Sequence, residues 1–306
     1  MPILGHIQMM SKTNRPTLFA TLIICLVVLT GCATQNSLTQ IERIVVFGDS
    51  NVDTGNLATL FGDADPRTNI WQGRNSNGPL VSEYLAESLD AELVTYAVSG
   101  ATTGNTNIVS LLAPQLTALA NTGMLSQIAE FSNNKGTLGE HDLIILWAGS
   151  NDIFRAQRDK KDELNQRING ATANIISAID LLTELGAKKV VIATRTPRQV
   201  LDSDDDMNGQ DLNHAVIKSI QTKLAQSNNE LVLFDAYTAI KDIIVSPQSY
   251  GLADVSKLCI ENLKCSSEKY QDGLELANTY LNWDAAHKTT RVHSILAEKL
   301  GLLLKD

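Results

Sequence analysis

A serine, a histidine and a carboxylate, each in a short polar segment, carry the chemistry available to this sequence. Ser50 lies in GDSNVDTGN, residues 48–56. Asp284 and His287 lie in WDAAHKT, residues 283–289. Two further segments of small polar residues, VSGATTGN (98–105) and GSND (149–152), contain Gly100 and Asn151. Together they form an inventory for acyl transfer. A hydroxyl attacks, an imidazole takes its proton, a carboxylate holds the imidazole, and N–H groups receive the oxyanion. A spacing of three brings Asp284 and His287 together in a helical turn, and a short irregular turn can join them as well. The backbone N–H groups of Ser50 and Gly100 and the Asn151 amide are the oxyanion donors. Each such donor is typically worth about 3–4 kcal/mol in a transition state.

Plainer readings of the same residues exist. Ser50 and Asp53 spell an S-x-x-D capping box. Gly100 and Gly104 suit turns that need positive φ. Asn151 and Asp152 suit a helix N-cap, and Asp152 is expected to cap the helix that follows. His6, His141, His214 and His293 are expected to be structural or solvated, with His141 at the sheet edge opposite the polar segments.

These segments need a frame to bring them together. Apolar runs at 43–47, 92–97, 143–148, 188–194 and 231–235 read as five strands. Between them, apolar residues recur at helical spacing in Pro79–Leu89, Leu111–Phe131, Ala171–Leu185, Leu212–Leu224 and Thr289–Leu304. Strands that are apolar throughout, alternating with amphipathic helices, predict an α/β fold: a parallel sheet covered on both faces, an open three-layer sandwich. Ligands of such sheets bind beyond the carboxyl ends of the strands. The segments at 48, 98 and 149 each follow a strand and therefore share one rim.

With these residues in this order, the chain resembles the SGNH, or GDSL-type, esterase/lipase family. The family's serine maps to Ser50 in FGDS, its glycine to Gly100 in SGATT, its asparagine to Asn151 in GSND and its histidine to His287 in WDAAH, with the acid at Asp284. The segment GRNSNGPLVSEYLA, 73–86, is similar to the branch of phospholipase/hemolysin-like acylhydrolases and plant esterases. The resemblance runs from about Ile44 to Leu296. It implies a flavodoxin-like α/β/α sandwich with a five-stranded parallel sheet. It also implies ester hydrolysis through an acyl-enzyme on Ser50, with no metal and no organic cofactor. Three positions depart from the family pattern: Asn51 replaces Leu, Asn75 replaces Phe, and Lys288 replaces Pro. Lys288 puts a cation beside His287, which would disfavour the imidazolium if the two side chains are close. No G-x-S-x-G is present, which disfavours the nucleophile-elbow architecture of the α/β-hydrolases.

The first residues read as a targeting segment. Lys12 and Arg15 precede the apolar run TLFATLIICLVVLT, 17–30, which is shorter than the roughly 20 residues of a membrane span. The run ends in LTGC, which resembles the lipobox of bacterial lipoproteins, where the cysteine, here Cys32, is lipidated. The expected organisation is a signal peptide over 1–31, a lipidated Cys32 and tether over 32–41, and the hydrolase domain over 42–306. The expected location is the cell envelope, with Ala33 after the cysteine suggesting an outer membrane where the host has one; a secreted protein is the alternative. Removing 1–31 takes away two cations and no acid, so the formal charge moves from −9 to −11. That excludes the basic surface nucleic-acid binding requires. It also leaves the lipid, rather than surface charge, to hold the protein at a membrane. The remaining pair, Cys259 and Cys265, is a disulfide candidate in an exported protein, with two free buried thiols as the alternative.

The acidic run Asp202–Asp211 contains D-x-D-x-N-G from Asp204, like the start of a calcium loop. Its twelfth position is Ala215 rather than a bidentate Glu, so a solvated acidic loop without metal is expected. The leading expectation is a serine esterase or lipase acting on lipid or phospholipid acyl esters. A carbohydrate or peptidoglycan O-acetyl esterase and a non-catalytic lipoprotein binding module are the alternatives.

Overall fold

A computed structural model of the chain describes residues 40–62, 65, 67, 70–112, 115–199, 201–225, 229–262, 265 and 275–305. All of these fall within one unit, Leu38–Asp306. The expected leader, Cys32 and most of the tether lie outside the described residues.

The five apolar runs are the strands of one parallel sheet: β1 (Arg43–Gly48), β2 (Glu92–Thr95), β3 (Asp142–Trp147), β4 (Lys189–Ala193) and β5 (Glu230–Phe234). Their order is β2-β1-β3-β4-β5. Val45 is in register with Val94 on one side and Ile144 on the other, and Val191 with Ile145 and Val232. Successive strand residues point to opposite faces, and both faces are buried. Ile44 and Val46 pack with Leu85, Ile240 and Leu296, from α2 (Val81–Leu89), α7 (Ala236–Val245) and α8 (Thr290–Leu303). Val45 and Phe47 pack with Ile128, Ile179 and Ile220, from α4 (Met124–Asn133), α5 (Lys161–Glu184) and α6 (Asp204–Leu224). Two short helices, α1 (Asn56–Phe61) and α3 (Ile108–Leu112), lie on the rim loops. The sandwich is the one expected from the alternation of runs. Because strand order reverses between β1 and β3, a crevice opens beside the end of β1, where Ser50 follows.

Three helices differ from the sequence expectation. The helix expected over Leu111–Phe131 is broken into α3, a single 3₁₀ turn at Thr117–Leu119, and α4. The break is enforced at Gly123, where a Cβ would lie 2.3 Å from the Gly104 carbonyl oxygen, and its N–H donates to Asn105 instead. Helix α5 starts ten residues earlier than expected, because Leu164 and Ile168 extend its buried stripe through a polar first stretch. Helix α6 starts at Asp204, so the expected solvated acidic loop is instead its first turn. Ser203 accepts the Asp206 N–H as N-cap, and acidic residues at that end suit the helix dipole. Asp206 is fully buried and accepts the Tyr237 hydroxyl at 2.9 Å. Two short parallel strands, β6 (Asp254–Leu258) and β7 (Tyr280–Asn282), form a second small sheet that the sequence reading lacked.

Candidate active site

Gly48 closes β1 where no side chain fits, since a Cβ there would meet the Trp147 carbonyl oxygen at 2.2 Å. Its N–H and C=O are both satisfied by the buried Gln127 side chain, at 2.8 and 2.9 Å. The chain then turns at Asp49–Val52. Asp49 Oδ1 accepts both the N–H (3.1 Å) and the side-chain amide (2.8 Å) of Asn51. Burial pushes the Asp49 carboxyl up, and these bonds offset part of that rise. Ser50 stands at the apex of this turn.

The three rim loops are tied pairwise by two carboxylates, the buried Asp53 and the half-buried Asp152. Asp53 Oδ2 accepts the N–H and hydroxyl of Ser99, at 2.8 and 2.7 Å, locking the Ser50 loop to the residue before Gly100. Its Oδ1 accepts the N–H groups of Gly55 and Asn56 at the start of α1. Ser50 and Asp53 thus form no capping box: Asp53 is divided between the start of α1 and Ser99, and the Ser50 hydroxyl is used elsewhere. Asp152 accepts the N–H and hydroxyl of Thr103, at 2.9 and 2.6 Å, locking the Asn151 loop to the Gly100 loop. The expected helix cap at Asp152 is therefore not formed; the next helix, α5, begins only at Lys161. Burial raises Asp152 to about 6, against the lowering effect of the Thr103 bonds. Gly100 has φ +85°, and a Cβ would lie 2.5 Å from Asn107 Oδ1, so glycine is required there.

The Asp–His segment lies between β7 and α8. His287 Nε2 lies 2.8 Å from Ser50 Oγ, and Nδ1 lies 2.8 and 2.9 Å from the two Asp284 oxygens. Asp284 Oδ1 also accepts the N–H groups of Ala286 and His287, each at 2.8 Å, so the pair is joined by an irregular turn. Burial alone would raise the Asp284 carboxyl. The His287 charge and these hydrogen bonds outweigh it and hold the carboxyl well below the usual range. An ionised Asp284 fixes the proton on Nδ1 and leaves Nε2 as acceptor for the Ser50 hydroxyl.

The turn is clamped by residues whose roles sequence reasoning missed. Ser76 Oγ donates to the Lys288 carbonyl (3.0 Å), and Asn77 Oδ1 accepts the Thr290 N–H (2.9 Å). The 73–86 segment thus acts as a bracket for the histidine. The Trp283 backbone N–H donates to the His287 carbonyl, and the residue packs with Cys259 and Cys265. Those cysteines are joined in a disulfide with Cα atoms 5.4 Å apart. Lys288 is 1% exposed and donates to Asn282 Oδ1 at 2.7 Å rather than to the imidazole. Burial lowers its amine to about 7, with the nearby Arg198 contributing. The cation expected beside His287 is thus buried and easily neutralised. His293 is buried on α8, and burial lowers it to about 3. His141 lies at the start of β3, at the opposite sheet edge, and His214 is exposed on α6.

Ser50, Gly100, Asn151 and His287 line one cavity of about 240 Å³, with Asn75 and Arg198. Among the described residues, the Ser50 and Gly100 N–H groups have no acceptor. Asn151 Nδ2 donates once, to the Ala101 carbonyl at 2.8 Å, which leaves its second hydrogen free. Asn75 donates to Ser99 Oγ at 2.7 Å, replacing bulk with a hydrogen bond at the family's Phe position. A second cavity of about 420 Å³ shares Ile108, Asn151 and Phe154 with the first and continues past Leu111 to α5. No cluster among the described residues is arranged to hold a metal ion. The arrangement can activate a hydroxyl, offer three donors to an oxyanion, and return a proton to a leaving group.

Known proteins similar to this chain include the following. The model of the GDSL-like Lipase/Acylhydrolase family matches residues 44–300. The thermolabile hemolysin of Vibrio parahaemolyticus is 26% identical over 85% of this chain, which spans 63% of the hemolysin's length. The phosphatidylcholine-sterol acyltransferase of Aeromonas hydrophila is 23% identical over 92% of this chain and 96% of its own. A structure of a lipolytic G-D-S-L family member from Veillonella parvula DSM 2008 superposes with a TM-score of 0.46 at 15% identity, covering 84% of this chain and 95% of that one.

Proposed function

The chain belongs to the GDSL-like lipase/acylhydrolase family of carboxylic ester hydrolases, and from that premise we propose that it cleaves lipid acyl esters with Ser50 as nucleophile. His287 Nε2 takes the Ser50 proton as Oγ attacks the ester carbonyl. The oxyanion is received by the N–H groups of Ser50 and Gly100 and by Asn151 Nδ2. His287 then gives the proton to the leaving alcohol, and the C–O bond breaks. Water, deprotonated by the same imidazole, attacks the acyl-enzyme, and the acid leaves with Ser50 restored. Asp284 keeps the imidazole in the required tautomer throughout.

The observation that carries this reading is the continuous chain Asp284–His287–Ser50, with heavy-atom distances of 2.8 Å at both links. Support for a lipid substrate is the cavity running from Asn151 past Ile108, Leu111 and Phe154, and the named activity of the Aeromonas relative. The test is turnover of p-nitrophenyl esters of graded chain length. Cleavage that persists beyond eight carbons supports a lipase, cleavage of acetate alone assigns an O-acetyl esterase, and no cleavage of any ester removes the catalytic reading.

We propose also that the protein is exported and lipid-anchored to the cell envelope through Cys32, on the strength of the LTGC sequence and the apolar run before it. Several acyl chains at about 0.8 kcal/mol per buried CH₂ would hold it firmly. Fatty-acid labelling in the native host should be lost in Cys32→Ser; label retained by that variant defeats the anchor.

A further inference from the structure

Arg198 follows β4 and lines the Ser50 cavity together with Ala286 and His287. Its Nε donates to Asp205 Oδ2 at 2.6 Å, and its backbone N–H to Asp206 Oδ1 at 3.2 Å. The same Asp205 oxygen accepts Arg195 Nη2 at 2.6 Å, so one carboxylate is shared between two guanidinium groups. Asp206 is occupied by the Tyr237 hydroxyl and by backbone N–H groups. Arg198 is thus fixed along one edge, while Nη1 and Nη2 have no acceptor among the described residues. A planar guanidinium with an open edge matches the paired oxygens of a phosphate or carboxylate.

The other arginine of this cavity is already spent. Arg67 is closed on Asp65 through Nε and Nη2, and its Nη1 faces the Gly73 carbonyl and Asn75 Oδ1. In the adjoining larger cavity, Arg167 serves Glu163 and the Phe154 carbonyl, and Arg155 lies 5.0 Å over the Phe154 ring.

The position of Arg198 assigns the half of the ester it meets. His287 must protonate the leaving oxygen, so the alcohol half lies against the wall formed by His287 and Ala286, which Arg198 shares. The larger cavity adjoins at Asn151 and Phe154, carries Ile108 and Leu111 in its lining, and is the space this arrangement leaves for the acyl half. Resting on the esterase reading above, we infer that Arg198 is a specificity residue that receives an oxyanionic group, phosphate or carboxylate, carried on the leaving alcohol.

The test uses purified full chain and matched butyryl esters of glycerol, glycerol 3-phosphate, glycerophosphocholine and glycerate. The readout is the ratio of kcat/KM for each anionic ester to that for the glycerol ester. The wild type should prefer at least one anionic ester about tenfold or more, as expected of a charge-assisted bidentate contact. The preferred ester distinguishes a phosphomonoester, a phosphodiester or a carboxylate as the source of the anion. Arg198→Gln should collapse that ratio by about tenfold, and Arg198→Lys should retain part of it as a point charge. Inorganic phosphate should compete with the glycerol ester in the wild type and lose potency in both variants, so that the proposal stays testable if Arg198→Gln folds poorly. Wild-type ratios near one for all three anionic esters, or a ratio unmoved by Arg198→Gln, overturn the inference while the esterase reading stands. Failure to cleave even the glycerol ester would sink both.

Discussion

Lys288 allows one consequence of the fold to be calculated and measured. Its amine is buried, is bonded to Asn282 Oδ1 at 2.7 Å, and is lowered from 10.5 to about 7, chiefly by desolvation. Unfolding returns it to the ordinary value. Between pH 7 and 10.5 the unfolded chain therefore binds a proton that the folded chain does not, and stability rises with pH across that window. The cost of burying the amine is absent above the unfolded value and complete below the folded one. The whole window is worth about 5 kcal/mol at 1.36 kcal/mol per unit, of which about 3 kcal/mol falls between pH 6 and 9. The perturbation is Lys288→Met, which keeps the apolar stem and removes the amine. The lost bond to Asn282 costs about 1–3 kcal/mol, but that cost does not change with pH. Urea unfolding of both proteins at several pH values isolates the amine, because groups common to both cancel in the difference. The wild-type stability minus the variant stability should rise by about 3 kcal/mol from pH 6 to pH 9. A flat difference would refute the reasoning and would place a permanent cation in the residue next to His287.

Further outcomes follow from the same geometry. Asp284→Asn leaves the packing in place but removes the acceptor that fixes the His287 tautomer, so kcat should fall about 10⁴-fold with little change in KM; a loss below tenfold would mean that Asp284 only shapes the turn. Asn151→Ala removes one oxyanion donor and should lower kcat by about 10²–10³, measured on a soluble short-chain ester, whereas a change confined to KM would place Asn151 in ground-state binding. Replacing Cys259 and Cys265 by serine opens a short loop and should cost roughly 2 kcal/mol in urea unfolding; because Trp283 packs on the bridge and bonds His287, activity at 37 °C should fall before the sheet unfolds, and simultaneous loss of both would detach the disulfide from the site.

The sheet and the segments that the structure brings together at Ser50, Asp284 and His287 are legible in the sequence because their signals are local. A run such as IVVF at Ile44–Phe47 is apolar at every position only when both faces are covered. The segments that follow such runs must then meet at one rim. What escaped depends on long-range partners. Nothing in the surroundings of Gln127 marks it as the residue that satisfies Gly48, since the two are 79 positions apart. Ser76 and Asn77 lie in the 73–86 segment, where the sequence assigns them no role, yet they clamp the histidine turn from over 200 positions away. The charges of the acidic run at 202–211 suggest solvation. Three of them instead complement a helix N-terminus, and Asp206 is buried by partners from other elements. Arg198 carries no motif, and its place in the cavity depends on where β4 ends beside β3 and on Asp205 and Asp206 of α6.

Catalysis as proposed rests on Ser50 Oγ forming the acyl-enzyme with help from His287. The most direct measurement is peptide mass spectrometry after exposure to an alkyl fluorophosphonate. A single phosphonyl adduct on Ser50, loss of ester turnover in step with labelling, and neither label nor turnover in Ser50→Ala are expected. An adduct on another serine, or turnover that survives in Ser50→Ala, would contradict it.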